Sequence, residues 1–279
     1  DGRTGVLVDC GISTKQVLLR MEQIGLGDAP ISGVLITHEH SDHVAAARVL
    51  DSRLFKETGQ RVPFYMSQGT HTRLSDRVRP QRVERVLPGR AFRLGSLTIE
   101  PTAVPHDGVD PVAYAVQSGN ARAGVITDLG RSTRLVERKL ASLDIAVLEF
   151  NHDVEMLMEG PYPWQLKQRI RSSHGHLSNA QSAELLTRAA SAGRLKEVLL
   201  AHLSEENNAP ARALRAADEA VTRAGRKDMR LHVGKQREPL APVQADVPLT
   251  DVARKPKLPQ PRTTRVPAAP ATDQMTLFG

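Results

Sequence analysis

The chain reads as an α/β protein in which layers of β-sheet are covered by helices, and three observations carry that expectation. Short apolar runs alternate with amphipathic stretches from residue 1 to about residue 234, the pattern of sheets and the helices packed on them. Several apolar runs finish on Asp, Thr or another polar residue, as strands do when they deliver side chains to a sheet edge. Aromatic residues make up only 3% of the chain, so Leu, Val, Ile and Ala must fill the interior.

Taken in order, residues 5–9 and 33–37 read as strands, each closing on Asp9 or Thr37 before a polar turn. Residues 44–58 have helical spacing, with Val44, Ala47, Val49, Leu50 and Leu54 apolar. Strands are expected over 97–104, 112–117, 123–127, 145–150 and 197–201. A helix over 178–192 has Ser178 or Asn179 as its cap and Ala183, Leu185, Leu186 and Ala189 inside, and another covers 210–224. The segment 1–234 is therefore expected to be one domain. The chain opens at Asp1 already heading into a strand, so a short N-terminal piece, a first strand, is expected to precede it.

Hydrophobic content of 40% and charged content of 25% are those of a soluble globular protein. The single cysteine, Cys10, excludes an intramolecular disulfide and fits a reducing cytoplasm. Its place in Val6-Leu7-Val8-Asp9-Cys10 suggests a buried, inert thiol. No apolar run approaches the roughly 18 residues a bilayer requires, so no membrane partner is expected. A formal charge of +7 favours a polyanionic partner. The arginines of the stretch 73–93, among them Arg73, Arg77, Arg79 and Arg82, face only Asp76 and Glu84 in opposition, which suits phosphate contacts. With few aromatics to stack on bases, binding should be led by shape and charge.

The chemistry concentrates in Thr37-His38-Glu39-His40-Ser41-Asp42-His43, directly after the apolar strand residues Val34-Leu35-Ile36. Three of the ten histidines fall within six residues. Imidazole and carboxylate suit zinc, manganese or iron, and the lack of cysteine argues against a closed structural zinc site. Four potential ligands on one loop exceed what one open catalytic metal needs, so two adjacent divalent metals are expected.

This His-x-His-x-Asp-His signature, with Thr and an aliphatic strand before it, resembles the metallo-β-lactamase superfamily. The resemblance implies an αβ/βα sandwich, two mixed sheets flanked by helices, and three further ligands after later strands. His106 in Val104-Pro105-His106-Asp107, Asp128 in Ile126-Thr127-Asp128-Leu129-Gly130 and His202 in Leu200-Ala201-His202 meet that expectation in order and context. By the resemblance His38, His40 and His106 hold one metal, Asp42, His43 and His202 the other, and Asp128 bridges them. Asp42 is also a candidate to orient the nucleophile or accept its proton. Asp107 competes with His106, and the superfamily pattern favours the imidazole.

The segments around Glu149-Phe150-Asn151-His152-Asp153, Gly160-Pro161-Tyr162-Pro163-Trp164, Gly175-His176-Leu177-Ser178 and His202-Leu203-Ser204-Glu205-Glu206 are similar to the YycJ/WalJ-type branch, cytoplasmic bacterial proteins assigned as DNA exonucleases. A more distant similarity to ribonuclease Z puts Glu149 and His176 at the positions of a carboxylate–imidazole pair that protonates the leaving oxygen. The resemblance thus implies a metal-dependent phosphodiesterase, a 5′ to 3′ exonuclease acting on DNA in repair or replication. An RNA-processing nuclease of ribonuclease Z or J type is the first alternative, and a thioester or lactone hydrolase of the same superfamily the second.

From Lys235 onward prolines punctuate a stretch poor in apolar residues, which cannot bury enough surface to offset its ordering entropy; residues 240–270 are expected to be disordered. The last residues turn apolar again. Gln274, Met275, Thr276, Leu277 and Phe278 resemble the pentapeptide by which bacterial replication and repair proteins dock on the sliding clamp. Leu277 and Phe278 would fill an apolar pocket and Gln274 bond at its rim.

Overall fold

A computed structural model describes residues 4–245; the Pro-rich segment after them and the clamp-type peptide 274–278 lie outside the described residues. The first part of the chain runs β1 (Gly5–Val8), α1 (Thr14–Gln23), β2 (Ile31–Leu35), α2 (Ser41–Val44), α3 (Ala47–Thr58), β3 (Phe64–Met66), α4 (Gln68–Arg73) and β4 (Val83–Arg85). These four strands form a parallel sheet in their sequence order. The second part runs β5 (Phe92–Leu94), β6 (Leu97–Ala103), β7 (Val112–Ser118), β8 (Ala121–Ile126), α5 (Arg134–Ala141), β9 (Ile145–Glu149), α6 (Val154–Glu159), α7 (Trp164–Arg171), α8 (Asn179–Ala190), β10 (Glu197–Ala201), α9 (Pro210–Arg223) and β11 (Arg230–Val233). Its seven strands form a mixed sheet in the order β11-β10-β9-β8-β7-β6-β5.

The two sheets face each other across a core that includes Leu35, Leu97, Ile99, Val112 and Tyr114. Tyr114 is fully buried, and its hydroxyl lies 3.0 and 3.2 Å from the carbonyl oxygens of Ile36 and Tyr65, tying β7 to the smaller sheet. On the outer side of the small sheet, Val44, Ala47, Leu50 and Leu54 pack against Val34, Ile36 and Phe64. On the outer side of the large sheet, α5, α8 and α9 cover Ala146, Leu148, Val198 and Leu200. The result is the expected helix–sheet–sheet–helix sandwich.

The helix expected over 44–58 is found as α3, which starts at Ala47 and is separated from the short α2 before it for a visible reason. Cys10 donates its N–H to His43 O and accepts from Ala46 N, so the turn after β1 takes over backbone groups that would have continued the helical ladder. Gly11 allows that approach, since a Cβ there would sit 1.5 Å from Asp42 O. Helix α8 starts where the sequence placed it: Ser178 accepts from Gln181 N, and the Gln181 side chain accepts from Ser178 N in a full capping box.

Strand direction sets the position of the site. β8, β9 and β10 are mutually parallel, and β6 runs the same way because both β6 and β8 are antiparallel to β7. The carboxyl ends of β6, β8, β9 and β10 therefore meet at one edge. The loop after β2 joins them there through the Val112 N to Thr37 O bond.

Candidate metal centre

Every ligand expected from the sequence arrives at this edge. His38, His40, Asp42 and His43 come from the β2–α2 turn, and His106, Asp128 and His202 follow β6, β8 and β10. Asp128 and His202 adopt the left-handed backbone, with φ of 59° and 57°. For residues other than glycine this conformation is sparsely populated, and it persists where surrounding contacts over-determine it. Each such turn folds the chain back immediately after a strand and holds the side chain over the sheet edge.

The side chains sort into two nests sharing one carboxylate. In the first, His38 Nε2 lies 2.9 Å and His106 Nε2 3.3 Å from His40 Nδ1. The outward nitrogens of these rings are spoken for: His38 Nδ1 is 3.0 Å from Thr37 Oγ1, His106 Nδ1 3.0 Å from Gly175 O, and His40 Nε2 3.5 Å from Asp107 Oδ1. With the protons on the outward nitrogens, three lone pairs converge, and a cation in the middle would satisfy them; the residues present fit a divalent metal.

In the second nest His43 Nε2 and His202 Nε2 lie 3.5 and 3.7 Å from Asp42 Oδ2. Their outward nitrogens are held by carboxylates: His43 Nδ1 is 2.8 Å from Asp9 Oδ2, and His202 Nδ1 is 3.0 Å from Glu149 Oε1. Asp128 faces both nests, with Oδ2 3.5 Å from His43 Nε2 and Oδ1 3.5 Å from His202 Nε2 and 3.7 Å from His106 Nε2. His43 Nε2 and Asp128 Oδ2 are buried without a hydrogen-bond partner among the described residues. Two buried groups left open and aimed at one point are what a ligand set presents.

The pocket's charges divide its histidines. Burial, then the neighbouring His43, lowers the His38 pKa to about 3, which keeps it in the neutral form a ligand requires. Burial opposes the charge of His43, but the neighbouring carboxylates of Asp42 and Asp9 overcome it and raise the pKa to about 10. The nearby imidazoles of His202 and His43 hold Asp42 far below the usual carboxylate range. Burial pushes Asp128 up, yet His202 and His43 keep it ionised. The carboxylates of this pocket thus draw positive charge into it.

Glu149 lies at the end of β9 and is fully buried. Its Oε1 is 2.8 Å from His176 Nδ1 as well as 3.0 Å from His202 Nδ1, and its Oε2 accepts from Leu129 N and Leu177 N. One carboxylate therefore orients two imidazoles. Burial disfavours its charge, but the bonds from His176 and His202 lower its pKa. His176 is partly exposed and lines a cleft of about 770 Å³ together with Asp42, Asp107, Arg169 and Tyr162. With Nδ1 held by Glu149, Nε2 is the ring nitrogen left available in a residue that lines that cleft.

Other residues fall differently. Asp107 lies 3.2 Å from His106 Nε2 but is engaged by Arg169 Nε at 2.7 Å, and partial burial notwithstanding, that bond lowers its pKa. Asp153 caps α6 by accepting from Met156 N, and the backbone of His152 accepts from Asn179 N, so this pair builds a turn. Arg73, Arg77, Arg79 and Arg82 do not line the cleft; Arg79 pairs with Asp76 at 2.8 Å and Arg82 with Glu84 at 3.4 Å. Cys10 is buried, and burial first, Asp9 second, pushes its thiol up to about 12, consistent with an inert group. Gln236, just past the expected domain boundary, lines the cleft.

Asp9 is the residue the sequence reading missed. It accepts from Thr37 N and Thr37 Oγ1 as well as facing His43, and its φ is 60°. A polar residue ending the first strand was the available signal, but a contact spanning 34 positions is not written in local spacing. Asn151 was likewise not singled out; its Nδ2 donates to His202 O and steadies that turn.

Clustered histidines and carboxylates that could hold metal, set on a two-sheet sandwich, point to a class, and the match of the beta-lactamase superfamily domain to residues 4–202 settles it: the chain belongs to the beta-lactamase superfamily and is a hydrolase of the metallo-β-lactamase fold. It is 33% identical over 206 residues to the exodeoxyribonuclease YycJ of Bacillus anthracis, covering 73% of this chain and 75% of that one. The exodeoxyribonuclease WalJ of Streptococcus pneumoniae is also 33% identical, over 208 residues and the same shares of the two chains. Among solved structures, zinc-bound PqqB from Methylobacterium extorquens superposes with a TM-score of 0.62 at 17% identity, over 86% of this chain and 83% of that one, a likeness of fold. Among the described residues no helix is long and apolar enough to cross a membrane.

Proposed function

We propose that this hydrolase is a phosphodiesterase that removes nucleotides from DNA, a 5′ to 3′ exonuclease of repair or replication, with two divalent ions in the nests described above. His38, His40 and His106 would hold one ion, Asp42, His43 and His202 the other, with Asp128 between them. Zinc or manganese suits these nitrogen and oxygen donors, as does iron. When bound, such a pair supplies the Lewis acidity that makes water a nucleophile at neutral pH and draws charge from phosphoryl oxygens.

The chain's own residues account for the rest. Asp42, two-thirds exposed at its side chain, can orient the incoming water and take its proton. His176 is the group placed to hand a proton from Nε2 to the departing alkoxide. Glu149 keeps the His176 ring turned that way by holding Nδ1 at 2.8 Å. An alkoxide is a poor leaving group, so this step matters for a sugar oxygen far more than for a thiolate.

The observation that carries the reading is the Glu149–His176 pair beside the two nests. Support comes from the 33% identity, across most of both chains, to relatives named exodeoxyribonucleases. The C-terminal peptide 274–278 would tether the enzyme to the sliding clamp. The test is incubation of the metal-loaded full chain with end-labelled single- and double-stranded DNA and RNA. Stepwise loss of nucleotides from the 5′ end of DNA is expected. Preference for RNA would move the reading to RNA processing, and intact strands beside a hydrolysed thioester or lactone would overturn it.

A further inference from the structure

One side of the cleft is built by a single short segment that no step above uses. Gly160-Pro161-Tyr162-Pro163 leads into α7, whose Leu166, Arg169 and Ile170 line the cleft with Tyr162. Of the chain's three tyrosines and one tryptophan, two lie here: Tyr162 on the cleft wall and Trp164, 55% exposed, two residues on. In a chain so poor in aromatics, this pairing, one ring on the cleft wall and one two residues on, calls for a reason.

The segment is stiff. Prolines flank Tyr162 on both sides and fix their own φ angles. Lys167 is buried, and its ammonium donates to Met158 O and Gly160 O at 2.7 Å each, pinning the corner between α6 and α7. At the other end His176 N donates to Ile170 O, and Gly175 packs so closely that a Cβ would lie 2.2 Å from Arg169 O and Ile170 O. Tyr162, Arg169 and His176 are thus fixed relative to one another.

Among the described residues lining the cleft, Arg169 is the sole Lys or Arg. Its Nε is held by Asp107 at 2.7 Å, and Asp107 in turn lies 3.2 Å from His106 Nε2. Among the described residues the two terminal amino groups have no hydrogen-bond partner, and the side chain is 61% exposed. A guanidinium steered by one edge and free at the other presents a fork to a phosphate.

We propose that Tyr162 and Arg169 form a mononucleotide subsite beside the metal centre, Arg169 taking a phosphate of the strand and Tyr162 stacking on its base. This rests on the nuclease reading and sharpens it: the enzyme engages the strand at a terminal nucleotide by ring and charge, without reading base identity, since every base offers a π-face. The tyrosine hydroxyl has no part in it.

The single tryptophan makes the subsite measurable apart from turnover. Thymidine 5′-monophosphate, which has no diester to cut, is titrated into the metal-loaded full chain while Trp164 emission is followed. Saturable quenching is expected, with Kd raised about tenfold in Tyr162→Ala, little changed in Tyr162→Phe, and raised about tenfold in Arg169→Ala. Deoxyribose 5-phosphate should bind about tenfold more weakly than the nucleotide to the unaltered protein but equally well to Tyr162→Ala. On single-stranded DNA, Tyr162→Ala should raise KM by more than it lowers kcat. If the unaltered protein degrades DNA while both variants bind the nucleotide and the strand as it does, the subsite is wrong and the nuclease reading stands. If no strand of DNA or RNA is cut, the nuclease reading falls, and nucleotide binding then decides the subsite by itself.

Discussion

The two sheets contribute to the same centre in opposite ways. The small sheet delivers His38, His40, Asp42 and His43 on one continuous turn, whereas the large sheet sends His106, Asp128, Glu149 and His202 singly from the ends of β6, β8, β9 and β10. On the small-sheet side, Asp9 orients one proposed ligand, His43, at 2.8 Å. On the large-sheet side, Glu149 orients both a proposed ligand, His202, and the proposed proton donor, His176. The difference teaches that the turn after β2 gathers candidate ligands alone, while the large-sheet edge places candidate ligands beside the proposed proton donor, His176.

Breaking the element that joins the sides should have the largest effect. Asp128→Ala is expected to reduce hydrolysis to that of the chelator-treated protein, with circular dichroism unchanged. Asp128→Asn, which tolerates the left-handed backbone better, should be as inactive; retained turnover with verified metal content would contradict the bridging role. Next, His176→Ala should slow DNA cleavage by about 10²- to 10⁴-fold, the usual weight of a general acid. The same variant should lose under about tenfold on a diester whose leaving group is p-nitrophenolate, since that group departs without a proton. Equal losses on both substrates would make His176 a structural support.

Removing the outer partner on the small-sheet side should cost less. Asp9→Asn is expected to weaken metal affinity or activity by about 10- to 100-fold, the range for groups that orient ligand histidines. Added metal should restore much of this, whereas added metal should not rescue His176→Ala. Smallest in turnover is the tail: deleting residues 274–279 should leave activity on short naked DNA intact and abolish retention by the sliding clamp in a pull-down. Equal retention of the truncated chain would rule out the tether.

The same contrast explains what the sequence could disclose. The His38–His43 motif was legible because its candidate ligands lie within six residues, and the resemblance pointed to His106, Asp128 and His202, which the fold brings to the same edge. Strand edges came within a residue or two where apolar runs were long, as in β6, β7, β9 and β10. Shorter strands, β3, β4 and β5, each of three residues, escaped because so few positions carry no period. Helix α1 and helices α5 to α7 also went unread; α5, for instance, buries only Val136 and Leu140 within a charged sequence. Asp9 and Arg169 act through partners 34 and 62 positions away, a relation fixed by the sheet edge and not by spacing. The break between α2 and α3 was hidden for the same reason, since Cys10 causes it from the turn after β1.

The account stands most directly on metal stoichiometry, measured by elemental mass spectrometry on the full chain together with its DNA hydrolysis. Two divalent ions per chain are predicted, falling to about one in His106→Ala and in His202→Ala, with activity lost in both. A chain that degrades DNA at full rate with one ion, or with none after exhaustive chelation, would contradict it.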